Sequence, residues 1–447
     1  DLIEKRVNSV YGSTSFSYKD MVYLDLTARN DWSSALAAEN RSYFYSSASV
    51  SVLLNEIFNL QESNINLLKL KASTASVGND TGAQQIVNLF SVASNGYLGN
   101  TQINRPNIRF SESLQPEDVK SNEFGLEFKA FNNRLYADFA YYDISSKNLI
   151  FDVPVDPGTG YDFFRENVGE ITNKGFEILV GGTPVSNQNF GWDVSVNMAK
   201  NKNELVSLID GQENFTFSSS NGGIVDVRAQ VGEGYGDIYA TDWLRNDNGD
   251  LVLTAEGRPQ ATSERVKVGN YQPDFSGGFT NTFRIKDFTL NALVDFRVGG
   301  EVFSYTDAQL DATGVSKKSL QYRDGGVVVD GVIDDGNGNY TQNTENITAQ
   351  EYWGAVSGIG SEYVFSQTNV RLRELSLTYN LPSKFLDRSF LTGLSLSAVG
   401  RNLFFIYKEA DNFDPESSYS TSNLGQGVLF YALPTTRSIG LSLNVKF

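Results

Sequence analysis

The chain has 447 residues, with 36 Lys and Arg against 53 Asp and Glu, for a net charge of −17. That balance argues against a nucleic-acid partner, whose phosphates demand a basic face, and against a polybasic membrane-surface anchor. With no Cys and no His, disulfide frameworks, thiolate metal sites and His-dependent nucleophile systems are excluded, and the expectation is a protein that is not an enzyme.

Aromatic residues make up 13% of the chain, with 22 Tyr, 30 Phe, 40 Gly and only 10 Pro. This suits long antiparallel strands joined by turns. Mean hydropathy is −0.29, and no apolar run approaches the ~20 residues of a membrane helix. Membrane β-barrels escape that test, because only every second residue of a strand faces lipid. The opening residues Asp1 to Arg6 contain no apolar core of a signal peptide. An outer-membrane protein carries one before processing.

In chain order, period-two alternation predicts about thirteen strands, near 6–18, 21–31, 42–55, 66–78, 121–131, 134–150, 171–183, 190–204, 274–285, 288–303, 367–381, 391–407 and 436–447. Most reach the roughly 9–11 residues that a tilted membrane strand needs. Val22, Leu24, Leu26 and Ala28 alternate with Tyr23, Asp25, Thr27 and Arg29. Phe124, Leu126, Phe128 and Ala130, then Leu135, Ala137, Phe139 and Tyr141, repeat the pattern. Trp192, Val194, Val196 and Met198 follow, with Trp192 and Tyr141 suited to strand faces or an interfacial girdle.

The strand at 288–303 places Leu290 and Val294 on an apolar face and Asp295 and Arg297 on the other. The last strand sets Ile439, Leu441, Leu443, Val445 and Phe447 against Asn444 and Lys446. In a barrel the apolar set faces lipid and the polar set lines the lumen. Charges such as Asp295 and Arg297 would be costly against lipid.

Connections alternate in length. Short ones fall at Lys19-Asp20, Asn132-Asn133, around Ser186 to Gln188 and at Lys286-Asp287, with a moderate one from Pro382 to Ser389. Long ones span about 79–120, 151–170, 205–272, 304–366 and 408–435. Short periplasmic turns and long extracellular loops are the outer-membrane arrangement. By this alternation the final strand ends at the periplasmic side. Counting back, Asp1 starts at the outer side, so an odd number of strands is expected before it. The fold class is therefore all-β, a transmembrane antiparallel β-barrel.

Several stretches resemble the SusC/RagA family of TonB-linked outer-membrane transporters. They are Leu26 to Ser34 (LTARNDWSS), Arg41 to Tyr45 (RSYFY), Val77 to Asp80 (VGND) and Asn167 to Glu177 (NVGEITNKGFE). Later come Arg371 to Pro382 (RLRELSLTYNLP), Gly400 to Phe404 (GRNLF), Pro434 to Gly440 (PTTRSIG) and the terminal Phe447. Their order and spacing, over nearly the whole chain, make the likeness specific. It implies a barrel of about 22 strands around an N-terminal plug. On this reading residues 1–447 are the C-terminal part of one barrel, with the plug and the first strands outside the sequence.

The resemblance also implies a cell outer-membrane location in a Gram-negative bacterium and active import of oligosaccharides or peptides, driven by TonB acting on the plug. A SusD-like surface lipoprotein would cap the barrel, the bilayer would surround it, and a homodimer is open. Phe447 resembles the signal read by the barrel-assembly machinery. The other readings are a passive porin-like channel, a structural subunit of an envelope complex, and a soluble all-β protein.

In the loops, Tyr235, Tyr239, Trp243, Tyr352 and Trp353 are aromatic faces suited to stacking on sugar rings or peptide side chains. Loop packing or contact with a lid protein is the alternative. Arg371, Arg373 and Arg401 either tune the lumen or pair with acidic neighbours. Asp242 to Asp250 and Asp334 to Tyr340 carry spaced oxygens that suit calcium, though Asp335-Asn337-Asn339 lacks the glycine and glutamate of an EF-hand loop, and turn chemistry explains them more simply. No cofactor is expected. Asp20 and Asp25 show no acid–base arrangement.

Overall fold

The computed structural model describes residues 3–93, 96, 98–209, 211–219, 223–387, 389–418 and 425–447; the expectation placed on Asp1 lies outside them. The chain divides into two compact units. One is Asp1–Gly182 with Asn201–Glu213, and the other is Thr183–Lys200 with Asn214–Phe447. Among the described residues no helix is long and apolar enough to cross a membrane.

The first unit is built on an antiparallel meander. Its strands are β1 (Val7–Tyr18), β2 (Val22–Ser33), β3 (Ser42–Leu53), β4 (Ile65–Asn79), β5 (Glu117–Ala130), β6 (Leu135–Lys147) and β7 (Glu170–Ser186). Each pairs with the next, from Tyr18 opposite Val22 to Gly182 opposite Leu135. The tight turns sit where the sequence places them. Lys19 and Asp20 take φ of 52° and 54°, and Asn132 and Asn133 take 58° and 63°. Asn and Asp tolerate this left-handed region because their short polar side chains bond locally.

The second unit has its own antiparallel run, which starts where the first half of β8 (Phe190–Ser207) pairs with β9 (Phe275–Ile285). Then follow β10 (Phe288–Val298), β11 (Asn369–Asn380), β12 (Gly393–Lys408) and β13 (Ser438–Lys446). Two features differ from the sequence reading. The strand expected over 288–303 stops at Val298, because Gly299 and Gly300 turn the chain with φ of 74° and 80°. The following segment, Glu301–Ser304, leaves to pair with Val364–Ser366 and, in parallel, with Val428–Leu429.

The second difference is in the long connections, which are folded. Asn214–Ser219, Val225–Gln230, Tyr235–Ala240 and Val266–Asn270 form a four-stranded sheet. Helices α1 (Tyr305–Ala312) and α2 (Ala349–Val356) pack near it. Ser304 caps α1 by accepting from Asp307 N, and Thr348 with Glu351 forms a reciprocal capping box on α2. One hydrophobic core then joins three connections. Val225, Val227, Ile238 and Ala240 come from 205–272, Trp353, Val356 and Tyr363 from 304–366, and Val428 from 408–435. The three connections together make this core.

Candidate functional site

Register turns the period-two sequence pattern into two chemically distinct faces, because cross-strand neighbours share a side of the sheet. In the second unit, one row runs Trp192–Phe283–Leu290–Leu377–Ala398–Leu441. The row on one side is Phe190–Ile285–Phe288–Tyr379–Leu396–Leu443, and on the other Val194–Asn281–Ala292–Leu375–Gly400–Ile439. None of the three carries a charge. Leu441 is 79% exposed and Ile439 81%. Leu443 is exposed, and Leu290, Val294 and Val445 are half-buried, so none of these six lies in a dry interior. Trp192 stacks on Phe283, with ring centroids 6.0 Å apart, within this face.

The opposite face is a ladder of hydroxyls and amides. Thr282 Oγ1 donates to Asn291 Oδ1 at 2.8 Å, and Asn291 Nδ2 donates to Ser376 Oγ at 3.3 Å. Thr378 and Ser397 share a bond of 2.8 Å. Several of its charges are paired, as in Arg401 Nε with Glu374 Oε2 at 2.8 Å, and Arg284 with Asp193. Asp295 and Arg297 lie on this face, and Asn444 and Lys446 share its parity on β13, both exposed.

The first unit repeats the division. Val22–Val52–Leu70–Leu126–Phe139–Ile178 and Leu24–Val50–Ala72–Phe124–Tyr141–Phe176 are apolar or aromatic throughout. On the other side Lys71 pairs with Glu127 at 3.2 Å, and Thr27 with Ser47 at 2.6 Å. Toward the long connections the apolar face ends. The next row reads Leu26–Ala48–Thr74–Asn122–Asp143–Lys174, with Lys174 Nζ 3.1 Å from Asp143.

An arginine cluster stands at the loop end of β10 and β11. Arg371 Nη1 donates to Glu416 Oε2 at 2.6 Å, and lies 3.7 Å from Asp414. Arg373 Nε reaches Asp295 at 2.5 Å, and its Nη2 also grips Glu416. Arg371 stacks over Phe405 at 4.5 Å. Arg297 Nη2 donates to Gln367 Oε1 at 2.8 Å. All three arginines named from sequence, Arg371, Arg373 and Arg401, are thus held in ion pairs. Sequence reasoning missed Glu416. It sits 45 residues from Arg371 in a connection with no periodic signal.

The five loop aromatics do not gather on an open face. Trp353 is 3% exposed, inside the loop core, and Tyr239 is 8% exposed. Tyr235 meets Tyr271 edge-on at 6.5 Å, and Tyr352 meets Tyr322 and Trp353 the same way at 5.0 Å. Trp243 packs against the same core. Trp353 is part of the core that the three connections share. Tyr239 also donates to Gln230 Oε1 at 3.0 Å and lies under the Arg228 guanidinium. Gly236, at φ 93°, has the Tyr271 ring where a Cβ would stand. Burial pushes the Tyr352 phenol up to about 12.

At the calcium candidates the oxygens serve turns. Asp335 Oδ1 accepts from Asn337 N at 2.8 Å and Asn339 N at 3.2 Å, and the Asn339 side chain heads the bonds that hold its carboxyl below the usual range. Asn246 Oδ1 accepts from Asn248 N and Asp250 N. Among the described residues no group of three or more metal-ligating side chains converges. Phe447 is exposed and stacks on Phe390 at 5.8 Å.

With this geometry in hand, likeness to known proteins is specific. The family model described as TonB dependent receptor-like, beta-barrel matches residues 2–316. TonB-dependent receptor P3 of Formosa agariphila is 29% identical, over 100% of this chain and 46% of its own length. TonB-dependent receptor SusC of Bacteroides thetaiotaomicron is 25% identical, over 98% of this chain and 43% of its own. The RagAB peptide importer in its closed-closed state superposes with a TM-score of 0.78 at 21% identity, covering 98% of this chain and 47% of that one. The chain spans about half the length of the curated relatives it matches. From the family match over most of its length, with the strand order and motifs above, the chain belongs to the TonB dependent receptor-like β-barrel family.

Proposed function

We propose that this chain forms part of the wall and mouth of an outer-membrane importer for oligosaccharides or peptides. The observation that carries the reading is the pair of faces made by register. Uncharged apolar rows meet lipid, and hydroxyl, amide and ion-paired rows line the passage. Leu290, Val294, Ile439, Leu441, Leu443 and Val445 belong to the lipid side, and Asp295, Arg297, Asn444 and Lys446 to the lumen. The polar row ending in Asp143 and Lys174 marks the outer edge of the lipid belt on β4 to β7. The co-folded connections form part of the extracellular mouth, where a SusD-like lipoprotein would cap the entry. Opening would be driven by TonB through a plug supplied by the complete protein, and Phe447 would be read during barrel assembly. Binding is non-covalent, and the polar face holds no His or Cys to make or break a bond.

The test is uptake. Cells lacking the gene are compared with the parent for uptake of defined oligosaccharide and peptide mixtures, with and without a functional TonB. Loss of a TonB-dependent uptake supports import. Unchanged uptake together with envelope defects overturns it in favour of a structural subunit.

A further inference from the structure

The folded connections have a core of their own. Its buried members, from Val225 to Val428, lie in the connections or at their roots, and among the described residues none belongs to β8–β13. Elements that bury their apolar side chains against one another keep their shape while their seat on a neighbour changes.

The seat is polar. Backbone bonds join the roots of the connections in strand order. Asp274 N, just before β9, donates to Val298 O at 2.9 Å. Gln367 N, ahead of β11, donates to Gly300 O at 2.7 Å, and Glu409 N, just after β12, donates to Thr368 O at 3.1 Å. The roots thus stand side by side along the loop ends of β9, β10, β11 and β12. A row of adjacent element ends is the geometry of a hinge line.

The wall has two holds on these connections. One is Glu416 on Arg371 and Arg373, which reaches only 408–435. The other is Arg297, one residue from the end of β10, which reaches all three. Its Nη2 donates to Tyr271 O, at the return of 205–272, and to Gln367 Oε1 at 2.8 Å, at the return of 304–366. Gln367 Nε2 passes the link on to Pro415 O in 408–435 at 2.8 Å. Tyr271 and Gln367 are both buried. A Cβ on Gly300 would stand 2.6 Å from Arg297 Nη2 and 2.9 Å from Tyr271 O, so a side chain there would displace the guanidinium.

This node is built to open. Both acceptors of Arg297 are neutral, and one nitrogen serves both. Its Nε is buried with no acceptor. A cavity of about 180 Å³ adjoins it, lined by Tyr271, Arg297, Gln367, Glu416 and Gly427, among others. Bonds to neutral acceptors are weaker than charge pairs on both sides, and the cavity gives the side chain somewhere to go.

We propose that the co-folded connections move on the strand wall as one body, turning about this line of roots, and that Arg297 is the latch that seats it.

The experiment uses the complete protein in lipid nanodiscs, with nitroxide labels in pairs and distances read by pulsed electron resonance. Labels go on Asp247→Cys and Asn337→Cys, exposed in two different connections, and on Asp287→Cys, in the turn at the far end of β9 and β10. The chain has no Cys of its own to interfere. In the background of Arg297→Met the pair Asp247 and Asn337 should stay as narrow as in the parent. The two distances from Asp287 should widen and shift together. Arg297→Lys, which keeps the charge without the planar fork, should fall between. Gln367→Leu, which leaves Arg297 on Tyr271 alone, should act as Arg297→Met does in smaller measure. Unchanged Asp287 distances in Arg297→Met, or in Gln367→Leu should only that variant assemble, overturn the latch. Widening of the Asp247 and Asn337 pair along with the others overturns the single body, because the connections are then coming apart. No distance depends on what the barrel carries, so failure here and failure of the import reading are separate results.

Discussion

Glu416, from the last long connection, sits between Arg371 and Arg373 of β11, with its Oε2 accepting from Arg371 Nη1 at 2.6 Å. A loop is thereby bolted to the strand wall through a buried guanidinium. Removing one partner of a buried pair leaves the other uncompensated, which typically costs about 3–5 kcal/mol. Glu416→Ala should fall near the lower end of that range, because Asp414 remains 3.7 Å from Arg371. Limited proteolysis within 408–435 should speed up while the strand regions stay protected. Unchanged cleavage would mean that the loop is held by its other contacts.

The two faces predict opposite tolerances. Leu290→Arg places a charge in the uncharged row, and should destabilise the folded barrel in lipid by about 2–4 kcal/mol at mid-belt. Asn291→Arg, one residue on, points to the polar face and should cost far less. Urea unfolding in lipid vesicles compares them. Equal penalties would remove the distinction between the faces.

Trp353 lies at the centre of the loop core with only 3% of its surface exposed. Truncating a buried aromatic costs about 3–5 kcal/mol, so Trp353→Ala should unfold the loop assembly at markedly lower temperature. Tyr340→Ala, at an exposed loop aromatic, should leave that transition in place. If Trp353→Ala instead abolished ligand binding with no change in loop melting, the packing role would be displaced by direct recognition.

The loop sheet carries two carboxylates that respond to pH in opposite senses. Asp237 is 1% exposed, and burial raises its pKa above the ordinary 3.8, against bonds from Asn270 and Lys267. Glu233 is held below its ordinary 4.5, first by the hydrogen bond from Lys267 at 2.8 Å. The Asp237 contribution is therefore full below its unfolded value and declines as pH rises through its folded value. That of Glu233 is full above its unfolded value and declines as pH falls through its folded value. Asp237→Asn should flatten the loss of loop stability on the rising side, and Glu233→Gln should flatten it on the acid side. Thermal melts followed by tryptophan fluorescence over roughly pH 3 to 7 would show it. Identical pH profiles for parent and variants would refute the assignment.

The strand set was legible in the sequence because each strand carries its own evidence. Period-two alternation is a local property, and turn residues such as Asn132 and Asn133 announce themselves by type. For Arg371 and Arg373 the sequence offered ion pairing beside lumen lining, and the structure holds both in ion pairs. Their partner Glu416 was not legible there, since nothing in residues 408–435 repeats.

What the amino-acid order determined by itself is the two-faced strand and its direction of return. Only the tertiary structure decided that three distant connections close on one core, that Trp353 lies within it, and that Glu416 meets two arginines. The physical reason is range. A strand's face is set by residues two apart, whereas a shared core and a buried ion pair are set by loops whose meeting depends on where the whole wall places their ends.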